Sequence, residues 1–199
     1  MKSRIEIKAK ARANFKQQQG IAILAFVLYS VISGVLSGAT VGLAALLLMP
    51  PLTVGYAYFS LRVYRGETCE IADMLSTGFR DYVKSLVGIL WMYLFTFLWT
   101  LLFIVPGIIK SIAYSMTPYI LAERDDVSAQ DAIKVSMDLT YGHKMDIFVM
   151  GLSFIGWWLL TGLTFGILAI FFTGPYTATS FAGLYEELKA NQTKRPEMA

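Results

Sequence analysis

Three long stretches without a charged residue constrain this chain more than any other feature. They run from Gln17 to Leu61, from Ser85 to Ile109 and from Ile147 to Tyr185. A helix needs about 20 apolar residues to cross the hydrocarbon core of a bilayer, so the first and third stretches each have room for two spans and the second for one. Only 16% of the residues are charged, against about 25% in soluble domains. The chain is therefore predicted to be an integral membrane protein.

Three successive segments of the chain share one plan. Each begins with a charged stretch that has helical apolar periodicity, and each continues into two apolar spans joined by a short turn. In the second segment, Ile71, Met74, Leu75 and Phe79 fall on one face of a helix. In the third, the sequence SAQD at 128–131 is typical of a helix start.

This plan predicts an all-α, polytopic helical membrane protein with about six transmembrane helices, arranged as three hairpins with cytoplasmic amphipathic interfacial helices. The chain would form a single integral membrane domain, 1–199, with modules at about 1–66, 67–126 and 127–199. An internal repeat would explain the shared plan. Three unrelated hairpins with interfacial helices would look alike, so the sequence leaves both explanations open.

The distribution of charge predicts the orientation. Lys and Arg collect in the cytoplasmic flanks of membrane proteins. With six spans, all 14 acidic residues and every one of the 17 basic residues except Lys110 fall on the side that holds both termini. The opposite turns, near the sequences SGAT, IVPG and FFTG, are short and uncharged. Both termini are therefore expected in the cytoplasm.

Lys110 is the one basic residue inside an apolar span, just after Pro106 and Gly107. Counting back along a helix from a cytoplasmic boundary at Ala122 places it about 18 Å into a hydrocarbon core about 30 Å thick, in the outer half. One interpretation is that its flexible stem carries the amine to the outer headgroups.

The other interpretation gives Lys110 a ligand. Polar residues on a spanning helix usually face the bundle interior or a wet cavity, and the start of a helix favours anions. We therefore predict a candidate binding site for an anion or a lipid phosphate, formed by Lys110, Ser111, Tyr114, Ser115 and Thr117.

Glycine and proline positions predict how the helices pack. Gly34, Gly38 and Gly42 form two overlapping small-xxx-small steps, and the Gly162–Gly166 pair forms another. This pattern lets helices approach closely. Pro118 lies inside the fourth span, where it frees a backbone carbonyl and predicts a kink.

The remaining chemistry of the chain is sparse. His143 and Lys144 are candidate interfacial contacts for a lipid headgroup, with ordinary interfacial side chains as the alternative. Cys69 is the single cysteine, so an internal disulfide is excluded. The sequence has no zinc-ligand spacing, phosphate loop or nucleophile motif. It predicts no metal, no cofactor, no catalytic residue and no nucleic-acid partner, and it gives no positive support for an enzyme.

Several blocks along the chain resemble a known family. They are FRDY at 79–82, VPGIIK at 105–110, YSMTPYILA at 114–122, AIKVSM at 132–137, GHK at 142–144, LSFIGW at 152–157 and GPY at 174–176. Over about residues 60–190 the chain resembles the domain-of-unknown-function family 975 of bacterial integral membrane proteins. That family is similar in outline to the membrane domains attached to some glycerophosphodiester phosphodiesterases. The resemblance implies a multi-span protein of the bacterial cytoplasmic (plasma) membrane and a link to lipid, and it brings no established activity.

Three functional hypotheses remain. The leading one is a non-enzymatic membrane protein that binds a lipid, an anionic ligand or a membrane partner, with the lipid bilayer and anionic lipid as expected partners. The second is a transporter or channel component with a water-filled path along the Lys110 helix. The third is a lipid-modifying membrane enzyme that uses groups such as His143 or Asp146. The sequence leaves protein partners and the oligomeric state open.

Overall fold

The structure is a computed structural model that describes residues 3–38 and 42–194, with side chains described for 3–35 and 45–192. These residues form helices and no strand. The helices are α1 (Arg4–Gln17), α2 (Gln19–Gly38), α3 (Gly42–Arg65), α4 (Ile71–Arg80), α5 (Tyr82–Leu102), α6 (Ile104–Tyr114), α7 (Thr117–Glu123), α8 (Asp131–Thr140), α9 (Lys144–Leu152), α10 (Ile155–Leu163), a π-helical turn (Ala169–Thr173) and α11 (Gly174–Lys194). The all-α prediction is confirmed for the described residues.

Four helical segments of the described chain are long and apolar enough to cross a membrane. They are Ala45–Arg65, Tyr82–Leu102, Ile104–Glu123 and Lys144–Leu163. A fifth is present if α1 and α2, which meet at 95°, count as one broken span. The sequence predicts about six. The last predicted span is helical in the structure, but the second half of α11 carries charged residues and does not meet the same criterion.

The hairpin turns differ in part from the prediction. The turn of the second hairpin lies at Phe103, whose extended backbone separates α5 from α6. The turn of the third lies at 164–166, where Phe165 and Gly166 have φ angles of 49° and 85°. The prediction of a turn at FFTG was wrong, because residues 171–173 belong to the π-helical turn that leads into α11. The predicted SGAT turn, at 37–40, runs into residues 39–41, which lie outside the described part of the chain.

The three amphipathic helices, α1, α4 and α8, follow one packing scheme, and we call them the arms. Helix α4 packs against α3, α8 packs against α6 and α7, and α1 packs against α11. Helices α4 and α8 therefore each contact the second half of the hairpin in the preceding segment, and α1 contacts the second half of the hairpin in the third segment. The N-terminal arm meets the last helix and closes the arrangement into a ring. An internal repeat would produce this pattern, and the repeat itself stays a prediction.

The α4 arm lies unusually close to α3. A Cβ atom on Gly55 would clash with the carbonyl oxygen of Met74, and one on Gly78 would clash with that of Pro51. Because the backbones are in contact, most of the predicted apolar stripe stays at the edge of the interface. Met74 is fully buried, whereas Leu75 and Phe79 remain 37% and 39% exposed.

The predicted glycine steps do not take part in this kind of contact. A Cβ atom on Gly34 or Gly162 would meet no heavy atom of the described chain within 4 Å. Gly166 has a positive φ angle and therefore serves the turn. Gly38 and Gly42 lie outside the ranges for which the structure describes side-chain contacts, so this spacing has no test there.

We expect Gly78→Ala to destabilise the protein, because its methyl group would press on a backbone oxygen of α3 that cannot rotate away. Overpacking of this kind costs about 1–3 kcal/mol. The matched control is Gly162→Ala, which adds a methyl group in open space and should leave stability unchanged or slightly raised. Thermal unfolding in detergent measures both variants. Equal unfolding midpoints for the two would contradict the close approach of α3 and α4.

The same region buries Cys69, which leads to a second prediction. The thiol is 6% exposed and donates a hydrogen bond to the Glu67 carbonyl at 3.2 Å. Burial raises the pKa of the thiol to about 11, so the neutral form persists at pH values where an exposed cysteine, with a pKa of about 8.5, forms thiolate.

Alkylation of Cys69 in the folded protein should therefore keep rising, by about tenfold per pH unit between pH 8 and pH 10. In the denatured chain it should level off above about pH 8.5. The measurement is the rate of iodoacetamide labelling by mass spectrometry, with circular dichroism to show that the fold persists. A plateau near pH 9 in the folded protein would show that the thiol is not shielded.

Candidate functional site

The candidate span Ile104–Glu123 is broken. Helix α6 ends at Tyr114 and α7 begins at Thr117, with Pro118 in the first turn of α7. This break lies next to the proline at which the sequence predicts a kink. Proline has no N–H to donate, and the chain resumes its helix only after two residues in a turn.

The α8 arm donates hydrogen bonds at this break. The Ser136 hydroxyl donates to the Ala113 carbonyl at 2.8 Å, and the Thr140 hydroxyl donates to the same carbonyl at 3.3 Å. Both hydroxyl groups are fully buried. Helix α8 therefore inserts a polar face into the interrupted helix, in addition to burying apolar residues.

A second break divides the candidate span Lys144–Leu163 between α9 and α10, at Ser153 and Phe154. Here the donor comes from the α1 arm. The amine of Lys8 donates to the Ser153 carbonyl at 3.3 Å and to its hydroxyl at 3.1 Å, and it lies 4.0 Å from the centroid of the Phe154 ring.

A third weak point, the Pro50–Pro51 pair within α3, receives a donor too. Pro51 cannot donate to the Leu47 carbonyl four residues earlier. The Tyr82 hydroxyl, directly after the α4 arm, donates to that carbonyl at 3.2 Å. The breaks between α6 and α7 and between α9 and α10, and the proline pair in α3, are thus each bonded by side chains that are distant in sequence.

A groove of about 390 Å³ lies between the two breaks, where α6 faces α9 and α10. Ser111 and Ser115 contribute hydroxyl groups, Phe148, Trp158 and Phe181 contribute aromatic walls, and Gly151 lies on the α9 side. A Cβ atom on Gly151 would meet nothing within 4 Å, so the absence of a side chain there leaves space open. We call this cavity the serine groove.

The five residues of the predicted anion site do not converge on one space. Ser111 and Ser115 face the serine groove, where each hydroxyl also donates to a carbonyl of its own helix. Thr117 is fully buried, and its hydroxyl has no hydrogen-bond partner among the described residues. Lys110 and Tyr114 do not line the groove.

Lys110 lies against aromatic rings and the α8 arm. Its amine is 5.0 Å from the centroid of the Trp99 ring, 5.9 Å from that of Tyr114 and 3.9 Å from the sulfur of Met137. A cation over an aromatic face at this distance is stabilised by the ring quadrupole. Among the described residues no carboxylate pairs with Lys110. Its amine therefore lies between α5, α6 and α8, and its role in binding an anion stays a prediction.

His143 and Lys144 lie together at the start of α9, as their adjacent positions require. His143 Nδ1 lies 3.2 Å from an oxygen of Asp146, an i,i+3 contact across the first turn of the helix. Lys144 is half-buried, and it forms no ion pair with any residue whose side chain the structure describes. These two residues precede Ile147 and Phe148, which line one end of the serine groove.

A cluster of charges joins the ends of α3 and α7 to the second half of α11, and no pattern in the sequence indicates it. Arg65 donates to Glu123 and to Glu186, the latter at 2.8 Å through Nε. Tyr185 and Lys189 donate to the other oxygen of Glu123 at 2.9 and 2.6 Å. We call these five residues the ion-pair hub. Its members lie far apart along the chain, so no local pattern could reveal them.

The described chain is all-helical, with four to five candidate membrane spans and amphipathic arms at the breaks. Residues 102–192 match the model of the family described as "Protein of unknown function (DUF975)", so a little under half of the chain is similar to that family. The resemblance found in the sequence is thereby confirmed, although the match begins at residue 102 and not near 60.

No curated protein and no solved structure matches the chain. The outline similarity to phosphodiesterase membrane domains has no support from these comparisons. The family match covers the Lys110 segment, the serine groove and most of the ion-pair hub, with the exception of Arg65. It describes no activity for any of them.

We expect Ser136→Ala to destabilise the protein more than Ser111→Ala does. Ser136 is buried and bonds another helix, so its loss leaves the Ala113 carbonyl with the weaker Thr140 bond alone, at a cost of about 1–3 kcal/mol. Ser111 is exposed and bonds its own helix at Ile108, so its loss should cost little. Thermal unfolding midpoints in the same detergent decide this. Similar midpoints would mean that α8 does not support the break.

Proposed function

We propose that this protein is a non-enzymatic integral membrane protein that binds an anionic lipid in the serine groove. The observation that carries the proposal is the composition of the groove. Aromatic and aliphatic walls suit an acyl chain, and the open space over Gly151 admits it. Both walls belong to candidate membrane spans, and only 22% of the Lys144–Leu163 window is buried within the protein, so lipid has access to the groove.

The proposal places the lipid headgroup at the start of α9. His143 and Lys144 lie one helical turn before the end of the groove at Ile147. Lys144 has no carboxylate partner among the described residues, so its charge is available to a phosphate. Lys110 lies on a different face of α6 and does not line the groove. A contact between Lys110 and an anion is therefore tested separately, with Lys110→Met.

The location follows the charge pattern of the sequence. We propose a multi-pass protein of the bacterial cytoplasmic membrane, with six spans and both termini in the cytoplasm. Every basic residue except Lys110 lies on the side that holds the termini when six spans are drawn, which supports this orientation. The hub and the start of α9 would then face the inner leaflet, where anionic headgroups attract basic residues.

A transporter is the second candidate, and the broken spans favour it. Many transporters bind their substrate where helices are interrupted near the middle of the membrane. Here, however, the carbonyls of Ala113 and Ser153 are already bonded by Ser136 and Lys8. A substrate would therefore have to displace an arm. Flux in proteoliposomes that disappears in Lys110→Met would support this function over simple binding.

The enzyme hypothesis has one contact in its favour, the pairing of His143 with Asp146. A histidine held by a carboxylate can act as a general base. The contact is equally what an i,i+3 pair forms at a helix start. Turnover of a phospholipid by the purified protein would support an enzyme, and a lack of turnover across lipid classes would count against it.

The test of the proposed function is Gly151→Leu. The leucine side chain would start from a Cβ position with no heavy atom within 4 Å and extend into the serine groove, so bound phospholipid should be lost while thermal stability is kept. The matched control is Gly156→Leu, because Gly156 has equally open surroundings and does not line the groove. Native mass spectrometry of gently extracted protein measures the phospholipid that each variant retains.

Two further variants locate the headgroup. Lys144→Gln should weaken retention of phosphatidylglycerol and spare phosphatidylcholine, because only the anionic lipid depends on the cation. Lys110→Met asks the same question of the other candidate cation. If wild type, Gly151→Leu and Gly156→Leu retain the same lipid in the same amount, the proposed function is wrong.

A further inference from the structure

The outward face of the α1 arm carries a row of cations that the serine groove does not use. A face of α1 about 100° around the helix from these cations is anchored, because Ile7, Ala11 and Phe15 are completely buried. This anchoring fixes which residues point outward. Lys8, Arg12 and Lys16 recur every four residues, so they follow one another along the helix at about 6 Å.

These cations line a shallow open groove of about 690 Å³ between α1 and Tyr176. Ala9 and Ala13 form its floor, and the Tyr176 hydroxyl donates to the Lys8 carbonyl at 3.4 Å, which holds the ring beside the helix. Ile5 lies in the same groove and is 81% exposed. The groove therefore combines a line of positive charge with an uncovered aliphatic side chain.

Two of the three charges of this groove, those of Arg12 and Lys16, are available to a ligand. The Lys8 amine bonds Ser153 at the break between α9 and α10. Arg12 and Lys16 are exposed, and no carboxylate among the described residues pairs with either. Lys8, on the same helix, reaches the candidate membrane span Lys144–Leu163. The groove therefore opens beside a segment that lipid would surround.

We infer that the outward face of α1 is a second lipid site, which takes the phosphate of an anionic phospholipid on Arg12 and Lys16 and lays an acyl chain over Ile5. Charge complementarity selects an anion. The exposed isoleucine and the adjoining span select an amphiphile over a free phosphate ion or a soluble acidic partner. The inference does not depend on the serine groove, which lies on other helices.

The test uses the full chain carrying Gly151→Leu, so that the serine groove contributes no binding. The protein is placed in phosphatidylcholine nanodiscs, and energy transfer from its tryptophans reports the binding of pyrene-labelled phosphatidylglycerol. Arg12→Gln with Lys16→Gln should weaken this binding about 25-fold, since each surface cation contributes about fivefold. The control is Arg4→Gln with Lys134→Gln, which removes the same charge from exposed cations outside the groove.

Three results would overturn the inference. The first is an equal loss of binding in both double variants, which would mean that net charge alone attracts the lipid. The second is unchanged binding in Arg12→Gln with Lys16→Gln, with unfolding midpoints that show an intact fold. The third is displacement of the labelled lipid by inorganic phosphate at concentrations near those of unlabelled phosphatidylglycerol, which would define a site for free anions. If the serine groove proves not to bind lipid, each of these three outcomes keeps the same meaning.

Discussion

The structure depends on the satisfaction of backbone groups where helices are interrupted. Hydrocarbon offers no hydrogen bonds, so interrupted backbone inside a membrane is tolerated only where protein or water covers it. This chain interrupts two candidate spans and places a proline pair in a third. The bonds from Ser136 and Thr140 to Ala113, from Lys8 to Ser153 and from Tyr82 to Leu47 cover these places. The arms are therefore integral to the bundle.

The same bonds shape the serine groove. Because the breaks are bonded from the side of the arms, their backbone groups are not free to line the space between them. The hydroxyls of Ser111 and Ser115 are likewise engaged with carbonyls of their own helix. What remains toward the groove is largely carbon and aromatic surface. A site of this kind suits an acyl chain better than a small ion, which would need several polar ligands to replace its water.

The sequence predicted the parts of the fold that periodicity and composition control. The helical class, the arms and the break beside Pro118 all follow from local patterns. The anion site was less predictable, because Lys110 and Ser111 are adjacent and point about 100° apart on a helix. Lys110 therefore lies beside Trp99 and Met137, whereas Ser111 lines the serine groove.

Contacts between distant elements were beyond any local pattern. Gly55 and Gly78 are isolated glycines in sequence, and only the approach of α4 to α3 gives them a role. The predicted steps at Gly34 and Gly162 had the recognised spacing but meet no neighbour within the described chain. The predicted FFTG turn failed for a related reason. Glycine marks many turns, yet Gly174 begins a helix that packs against Phe26, and the chain reverses at Phe165 and Gly166.

The ion-pair hub and the arms act at different levels of the bundle. The hub joins the ends of α3 and α7 to the second half of α11 through Glu123, which accepts from Arg65, Tyr185 and Lys189. Partly buried ion pairs add little net stability, because desolvation offsets much of the attraction, but removal of one partner leaves a charge uncompensated. The hub therefore contributes more to the specificity of the contacts between these helices than to the stability of the fold. The bonds from Ser136, Thr140 and Tyr82 act on α3 and on the broken helix α6–α7. The positions of these two elements are therefore fixed twice, once by charge and once by hydrogen bonds to backbone carbonyls.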